Sequence, residues 1–302
     1  MKPNTPTSAA NSPYFIEGKE FSAPALTPGL YLTATPIGNL ADISLRALST
    51  LAAADMILCE DTRITRKLLD RYGIENVLHA YHDHNGAQMR PQVLKWLEGG
   101  KVIALVSDAG MPVVSDPGYK LARAVREHGS KVYVVPGASA PLAGLALSGL
   151  PSDRFLFAGF LPNKSAARRT VLSELSGINA TLIFFESIKR LEKSLSDIDA
   201  ILGDRPVSIA REITKLHEEV ITGTPSELAD KLTVRKGEVT LLIGPPEGDA
   251  VIDDATIDSA LTEAMENMAP GKAAAQVSKE LGVSRQELYQ RAMKLKSNFE
   301  EK

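Results

Sequence analysis

The sequence predicts an α/β protein: a first domain with a helix-covered parallel sheet, a second mixed α/β domain, and a small helix-turn-helix-like unit at the C-terminal end. Three observations carry this reading. In the first half, short apolar runs of strand length alternate with stretches whose apolar residues recur at spacings of three and four, the pattern of strands separated by covering helices. That alternation pauses at Gly149-Leu150-Pro151-Ser152 and then resumes. Beyond Pro245-Pro246-Glu247-Gly248 the chain turns polar and acidic and then helical to its end.

The elements follow in order. Residues 1–28 are rich in Pro, Ser, Thr, Ala and Asn, with too few large apolar side chains to offset the entropy of ordering, and are read as a disordered tail. A first α/β domain over 29–149 takes strands at 30–35, 56–59, 102–107 and 131–135, with helices at 44–53, 63–72, 87–98 and 119–128. A second over 150–247 takes strands at 155–159, 181–185, 206–211 and 239–243, with helices at 189–202 and 225–232. Thr224, Pro225 and Glu227 make a strong start signal for the latter, as cap, first-turn proline and capping-box carboxylate. The region 255–298 takes helices at 257–267 and 272–281 and a third from Ser284, with Gly282-Val283-Ser284 as the tight turn between the last two.

Bulk properties narrow the function. The 302 residues are 44% apolar, enough to bury cores for about two domains. The net charge is -3 and the sequence pI is about 6.0, so any nucleic-acid contact has to come from local patches rather than a basic body. Cys59, the single cysteine, sits in an apolar run, which excludes an internal disulfide and a cysteine metal site. No apolar stretch is long enough to span a bilayer and no signal core opens the chain, so a cytoplasmic protein is expected.

No Gly-x-Gly-x-x-Gly follows the first strand and no Gly-Lys-Ser or Gly-Lys-Thr loop occurs, which argues against dinucleotide and nucleoside-triphosphate sites. Loops of small residues stand there instead. Thr35-Pro36-Ile37-Gly38-Asn39-Leu40 follows the first strand, Ser107-Asp108-Ala109-Gly110-Met111-Pro112 and Ser115-Asp116-Pro117-Gly118 follow the third, and Pro136-Gly137-Ala138-Ser139-Ala140 follows the fourth. Ligands of open α/β sheets bind outside the carboxyl ends of strands, so these loops converge on one pocket.

Together with Glu60-Asp61-Thr62-Arg63, these loops resemble, in order and spacing, the tetrapyrrole-methylase-type methyltransferases, most closely the branch that methylates a ribose 2'-hydroxyl in small-subunit ribosomal RNA. Gly159-Phe160-Leu161-Pro162, Arg211-Glu212-Ile213-Thr214-Lys215 with His217-Glu218-Glu219, and Lys236-Gly237-Glu238 extend the likeness over about residues 29–245. Met111 stands where the family usually has Thr, and Ile188-Lys189 where it has Pro-His.

The resemblance implies S-adenosylmethionine held in a cleft between two α/β domains, contacted by Pro36, Ile37 and Gly38, by Asp108, Ala109, Gly110, Met111 and Pro112, and by Ser139 and Ala140, with Ala210 and Thr240 closing it. A sulfonium nucleoside with an amino-acid end calls for peptide dipoles and carboxylates rather than a phosphate cradle, and Asp108 is the natural ammonium or ribose partner. A ribose hydroxyl is a poor nucleophile, so a carboxylate, or a lysine kept neutral by its surroundings, is wanted as proton acceptor. Glu60, Asp61, Glu212 and Lys215 are the candidates. Two plainer readings stand beside them: Asp61 or Thr62 as a helix cap, and Arg211, Glu212 and Lys215 as ion pairs.

For RNA the candidates are Arg63, Arg66, Lys67 and Arg71 on one helix and Lys164, Arg168 and Arg169 past the interdomain joint, against the alternative of solvated helix faces. His82 and His84 share a strand face, but two ligands without a further cluster make a poor metal site, so no metal is expected. The terminal helices carry Lys272, Lys279, Arg285, Arg291, Lys294 and Lys296 and suit either ribosomal RNA or a packing partner. The function expected is therefore 2'-O-methylation of a cytidine in 16S ribosomal RNA near the decoding centre, by a homodimer paired through its first domain. Two alternatives are a tetrapyrrole C-methyltransferase and a ligand-sensing DNA-binding regulator using the terminal helices.

Overall fold

The computed structural model describes residues 12–231, 236–246, 254–281 and 284–300. It opens on a hairpin, β1 (Ser12–Ile16) and β2 (Lys19–Ala23), paired antiparallel through the Glu17-Gly18 turn, both residues of which take positive φ. The expectation of a disordered tail is thus corrected over this stretch, while residues 1–11 lie outside the described residues. The reason is local: Tyr14 and Ala23 are buried in the first core, and the Phe15 N–H donates to the Tyr72 carbonyl at 2.8 Å. Two anchoring side chains and a glycine turn suffice where average composition suggested too little.

Next come β3 (Gly29–Thr33), a 3-10 turn (Leu40–Asp42), α1 (Leu45–Ala53), β4 (Met56–Cys59), α2 (Thr62–Arg71), β5 (Leu78–Ala80), α3 (Gly86–Glu98), β6 (Val102–Leu105), α4 (Tyr119–Glu127) and β7 (Val132–Val135). The five strands from β3 to β7 form a wholly parallel sheet in the order β5-β4-β6-β3-β7. Period-two alternation explains how both faces are covered. Ile57, Cys59, Val102, Ala104 and Val106 pack with α1, α2 and the hairpin. Leu58, Ile103 and Leu105 point the other way, against α3 and α4. Strand β5 is a short edge strand of half-buried residues, and no apolar run announced it.

Helix α5 (Ala140–Ser148) leads out of this half and was not anticipated. It is apolar nearly all round, without the one-sided stripe that marks a surface helix. After it come β8 (Phe155–Phe160), α6 (Ser165–Leu175), β9 (Thr181–Ser187), α7 (Ile188–Leu202), β10 (Val207–Arg211), β11 (Glu219–Gly223), α8 (Pro225–Lys231) and β12 (Glu238–Ile243). Their sheet runs β11-β10-β12-β9-β8, antiparallel except for the β8–β9 pair. Although α5 precedes the pause at Gly149, it packs on this second sheet: Leu145 shares a core with Ile183, Ala210 and Leu242. Gly144 allows the approach, since a Cβ there would lie 2.9 Å from Thr240 Cγ2. The capping box of α8 forms in both directions, Thr224 N–H to Glu227 Oε2 at 3.1 Å and Glu227 N–H to Thr224 Oγ1 at 3.4 Å, and Leu232 lies outside the described residues.

A separate compact unit comprises α9 (Asp254–Asn267), α10 (Pro270–Leu281) and α11 (Arg285–Glu300). Its core is built from Ile257, Leu261, Ala274, Val277, Leu288 and Ala292, and an Arg291–Asp258 ion pair ties α11 to α9. The expected turn at Gly282-Val283 lies outside the described residues.

Candidate active site

The loops after the parallel strands are stitched together by backbone. Thr35 and Gly110 exchange both N–H to carbonyl bonds, at 2.9 and 3.1 Å, and Thr35 Oγ1 donates to the Ser107 carbonyl at 3.1 Å. The Ala34 N–H reaches the Val135 carbonyl, and the Asp61 N–H reaches Asp108 Oδ1 at 3.0 Å. Gly110 takes φ of 80°, and a Cβ there would press on Ile37 Cγ2 at 3.2 Å, so glycine is what lets these loops lie flat on one another.

These loops and the edge of the second sheet enclose a cavity of about 460 Å³, within the size range of small-molecule sites. Of the residues expected to hold a cofactor, Ile37, Asp108 with the three residues after it, Ser139, Ala140 and Thr240 line it. Pro36, Pro112 and Ala210 do not; all three are buried, and Ala210 pairs with Thr240 in the sheet. Gly38 is exposed and faces elsewhere: a Cβ there would lie 2.6 Å from Lys215 Cγ, and the neighbouring Asn39 N–H donates to Thr214 Oγ1 at 3.0 Å. It sits at the seam between the two halves.

The cavity suits a sulfonium amino acid on physical grounds. Ser139 makes no side-chain cap bond at the amino end of α5, where Ser139, Ala140 and Pro141 line the space, and the positive end of the helix dipole there is a favourable place for a carboxylate. The same cavity is lined by Asp108 and Asp116, suited to an ammonium, a ribose or a cationic sulfur. Burial pushes the Asp108 carboxyl above its usual range. Burial, followed by the Glu60 charge and partly offset by a hydrogen bond from Ser107, pushes Asp116 up to about 6. Glu60 does not line the cavity; it too is raised, by burial and then by Asp108 and Asp83. Asp116 was read only as part of a loop, and its proximity to Glu60 and Ser107 comes from a turn that the residue types do not disclose.

The other proton-acceptor candidates are already occupied. Asp61 caps α2, accepting from the Arg63 N–H at 2.8 Å and from the Arg63 guanidinium, which lowers its carboxyl to about 2. Lys215 Nζ donates to Glu238 Oε2 at 2.8 Å and to Glu212 Oε1 at 3.0 Å. Burial alone would pull Lys215 down, but Glu238 and Glu212 outweigh it and raise the ammonium, so the neutral-lysine expectation is corrected. Glu212 accepts from the Glu238 N–H at 3.0 Å, and that bond, then Lys215, lowers it. The ion-pair reading of Arg211 also holds, through Glu219 Oε2 at 3.0 Å across β10 and β11.

Among the RNA candidates, Arg168 is overturned. It is 2% exposed, donates from Nε to Asp197 at 2.8 Å and reaches the Pro162, Asn163 and Lys193 carbonyls, leaving nothing for a phosphate. Arg169 shares Asp197 from the surface at 2.5 Å. Arg66 is held by the Asn76 carbonyl, while Arg63, Lys67, Arg71 and Lys164 remain exposed. His82 and His84 meet edge to face at 5.9 Å, and Asn85 binds the Ala80 carbonyl and the His82 N–H, so this stretch folds on itself.

Two cavity residues of the second half were also missed as ligand contacts. Phe160 and Phe185 line the cavity with ring centroids 5.3 Å apart. Phe160 lay in a recognised segment, but its meeting with Phe185 depends on sheet register.

Comparison with known proteins gives a consistent result. Residues 29–229 match the family of Tetrapyrrole (Corrin/Porphyrin) Methylases, and residues 251–296 match the RsmI C-terminal HTH domain. A ribosomal RNA small subunit methyltransferase I of Mesorhizobium japonicum is 51% identical over 281 residues, covering 92% of this chain and 95% of that one. One of Erythrobacter litoralis is 50% identical over 280 residues, covering 92% of this chain and 99% of that one. The crystal structure of a diphthine synthase superposes with a TM-score of 0.58 at 17% identity over 71% of this chain and 89% of that one, a likeness of fold.

Proposed function

This chain belongs to the tetrapyrrole methylase family, and from that premise we propose that it 2'-O-methylates a cytidine of 16S ribosomal RNA near the decoding centre. It is an S-adenosylmethionine-dependent methyltransferase of small-subunit ribosomal RNA, and its relatives of half-identical sequence are named ribosomal RNA small subunit methyltransferase I. The observation that carries the reading is the stitched, glycine-containing loop set facing the uncapped end of α5 across one cavity.

The bound cofactor supplies an electrophilic methyl group on sulfur. Everything else falls to side chains and peptide groups of this chain. The α5 end holds a carboxylate, and Asp108 holds the ammonium or ribose. The loop 108–111 excludes water from one side, and Met111 serves through its backbone. The attacking oxygen has to lie in line with the methyl-sulfur bond, and positioning of that kind removes several kcal/mol of barrier. Asp116, ionised above about pH 6, accepts the hydroxyl proton, with Glu60 behind it sustaining its basicity. Glu212, Glu238 and Lys215 brace the opposite rim. Arg63, Lys67, Arg71 and Lys164 meet phosphates.

The working form is a homodimer paired through the first domain, whose edge strand β7 carries Val134 at 51% exposure. No described helix is long and apolar enough to cross a membrane, and the reaction belongs in the cytoplasm with its ribosomal substrate. The test is transfer of radiolabelled methyl to small subunits purified from cells lacking the enzyme, followed by alkaline hydrolysis. A ribose methyl caps the oxygen that attacks the neighbouring phosphodiester, so the label is expected in one alkali-resistant dinucleotide containing cytidine. Label confined to alkali-labile mononucleotides would place the methyl on a base and overturn the assignment.

A further inference from the structure

We infer that Phe160 and Phe185 form a stacking platform for the unpaired base of the target nucleotide, a second subsite beside the cofactor. This rests on the RNA-methylation reading above and goes beyond it by naming which wall receives the substrate and by what chemistry.

The platform is built by a fault in strand pairing. Phe157 pairs with Ile183, but Phe160 pairs with Phe185, so β8 spends three residues where β9 spends two. Side chains alternate along a strand, and without the extra residue Phe160 would point to the opposite face from Phe157. Gly159, at φ of 70°, absorbs the bulge and brings Phe160 to the face of Phe157 and Ile183. The three rings then form a tier, with Phe157 and Phe185 edge to face at 4.9 Å and Phe160 and Phe185 tilted at 5.3 Å. Phe157 packs on the core, Phe185 is half-buried, and Phe160 at the cavity is 62% exposed. A large apolar ring left this open at the mouth of the cavity has a face free for a partner.

A second, independent feature fixes the rings. Glu186, next to Phe185, is buried and accepts from the Ser187 N–H and the Ser194 hydroxyl, each at 2.6 Å, while pairing with Arg190. Arg190 also donates to the carbonyl of Leu161, next to Phe160, at 3.4 Å. One buried carboxylate and one guanidinium thus hold the backbone beside both rings, so the platform is ordered before anything binds.

The reacting groups lie close by. Gly159 faces Ser115, whose Oγ would be 3.4 Å from a Cβ there, and Asp116 follows Ser115 in the chain. A base resting on Phe160 therefore brings its own ribose toward the carboxylate proposed as proton acceptor. Bases on which enzymes act, or whose sugars must be reached, are drawn out of their stacks and received on aromatic faces, because every base has a π surface.

The test compares the parent, Phe160→Ala and Phe160→Trp on two RNA substrates, one normal and one abasic at the target ribose, with cofactor affinity measured by calorimetry. For the normal RNA, Phe160→Ala is expected to raise KM about tenfold, in the range of one lost base-stacking contact, and Phe160→Trp to restore it. On the abasic RNA the parent and Phe160→Ala should be equal, and cofactor affinity should stay within about twofold throughout. Equal loss on both RNAs, or a fall in cofactor affinity alone, would assign the ring to the cofactor's adenine or to folding and overturn the platform. A parent that methylates no RNA would fail the earlier reading instead, which keeps the two failures distinct.

Discussion

The two walls of the cleft are built on opposite principles. The first wall, from the parallel sheet, is held by peptide groups: Thr35 to Gly110, Ala34 to Val135, Asp61 N–H to Asp108. Its carboxylates at Asp108 and Asp116 form no ion pair among the described residues and sit above their usual range because of burial. The second wall, from the mixed sheet, commits its charges to one another, Glu186 with Arg190 and Glu212 and Glu238 with Lys215, and leaves aromatic rings free. Poised acids suit proton transfer, whereas neutralised charges and open rings suit recognition. On the assignments proposed above, reaction and recognition are divided between the two sheets.

The largest effect that would break this division is at Asp116. Asp116→Asn is expected to lower turnover by roughly 10²–10⁴-fold, the span of a lost general base, while cofactor affinity persists. An acceptor must start ionised, so the parent's rate should rise with pH, level off above about 6, and lose that inflection in the variant. Turnover within tenfold of the parent would remove Asp116 from the chemistry.

Next comes Arg168, in the second half, where paired charge supports the fold. Arg168→Ala removes the only buried cation paired with buried Asp197 among the described residues and should cost about 3–5 kcal/mol in denaturant unfolding, as broken buried pairs do. Asp197 is held low because Arg169, Ser165 and Arg168 together overcome its burial. Its contribution is therefore complete above the unfolded carboxyl range and is lost as pH falls through the lower folded value. The parent should lose more stability than the variant on acidification, and parallel acid curves would contradict the pairing.

The smallest effect tests the rim. Lys215→Met removes a braced cation, not a base, so turnover should stay within about tenfold of the parent in steady-state assays. A loss of a thousandfold would return proton transfer to the second wall.

Much of the first wall was legible because its residues declare themselves. Gly110 and the residues about it are small, follow an apolar strand, and have few other uses, so a ligand loop at 107–112 can be read from residue types alone. The second wall was not, because its properties are relational. Lys215 is paired with Glu238, which lies 23 positions away on β12. Phe160 and Phe185 meet through a register shift that leaves no compositional trace. Arg168 looked like its neighbour Arg169, and only helix phase separates the buried guanidinium from the half-exposed one. The hairpin at 12–23 escaped for a related reason, since average composition hides two anchoring residues.

Val113 and Ser115, at φ of 80° and 61°, hold a conformation that side-chain-bearing residues seldom take, and they lead directly into Asp116. Glu212 and Thr214, at 51° and 66°, do the same on the facing loop. Each such position holds of order 1–3 kcal/mol that the rest of the fold must outweigh. If Asp116 is the acceptor proposed above, heat tolerance and catalytic speed are set against each other in this chain: a designer who relaxes the bend at Val113 and Ser115 hardens the protein while loosening the aim of that carboxylate.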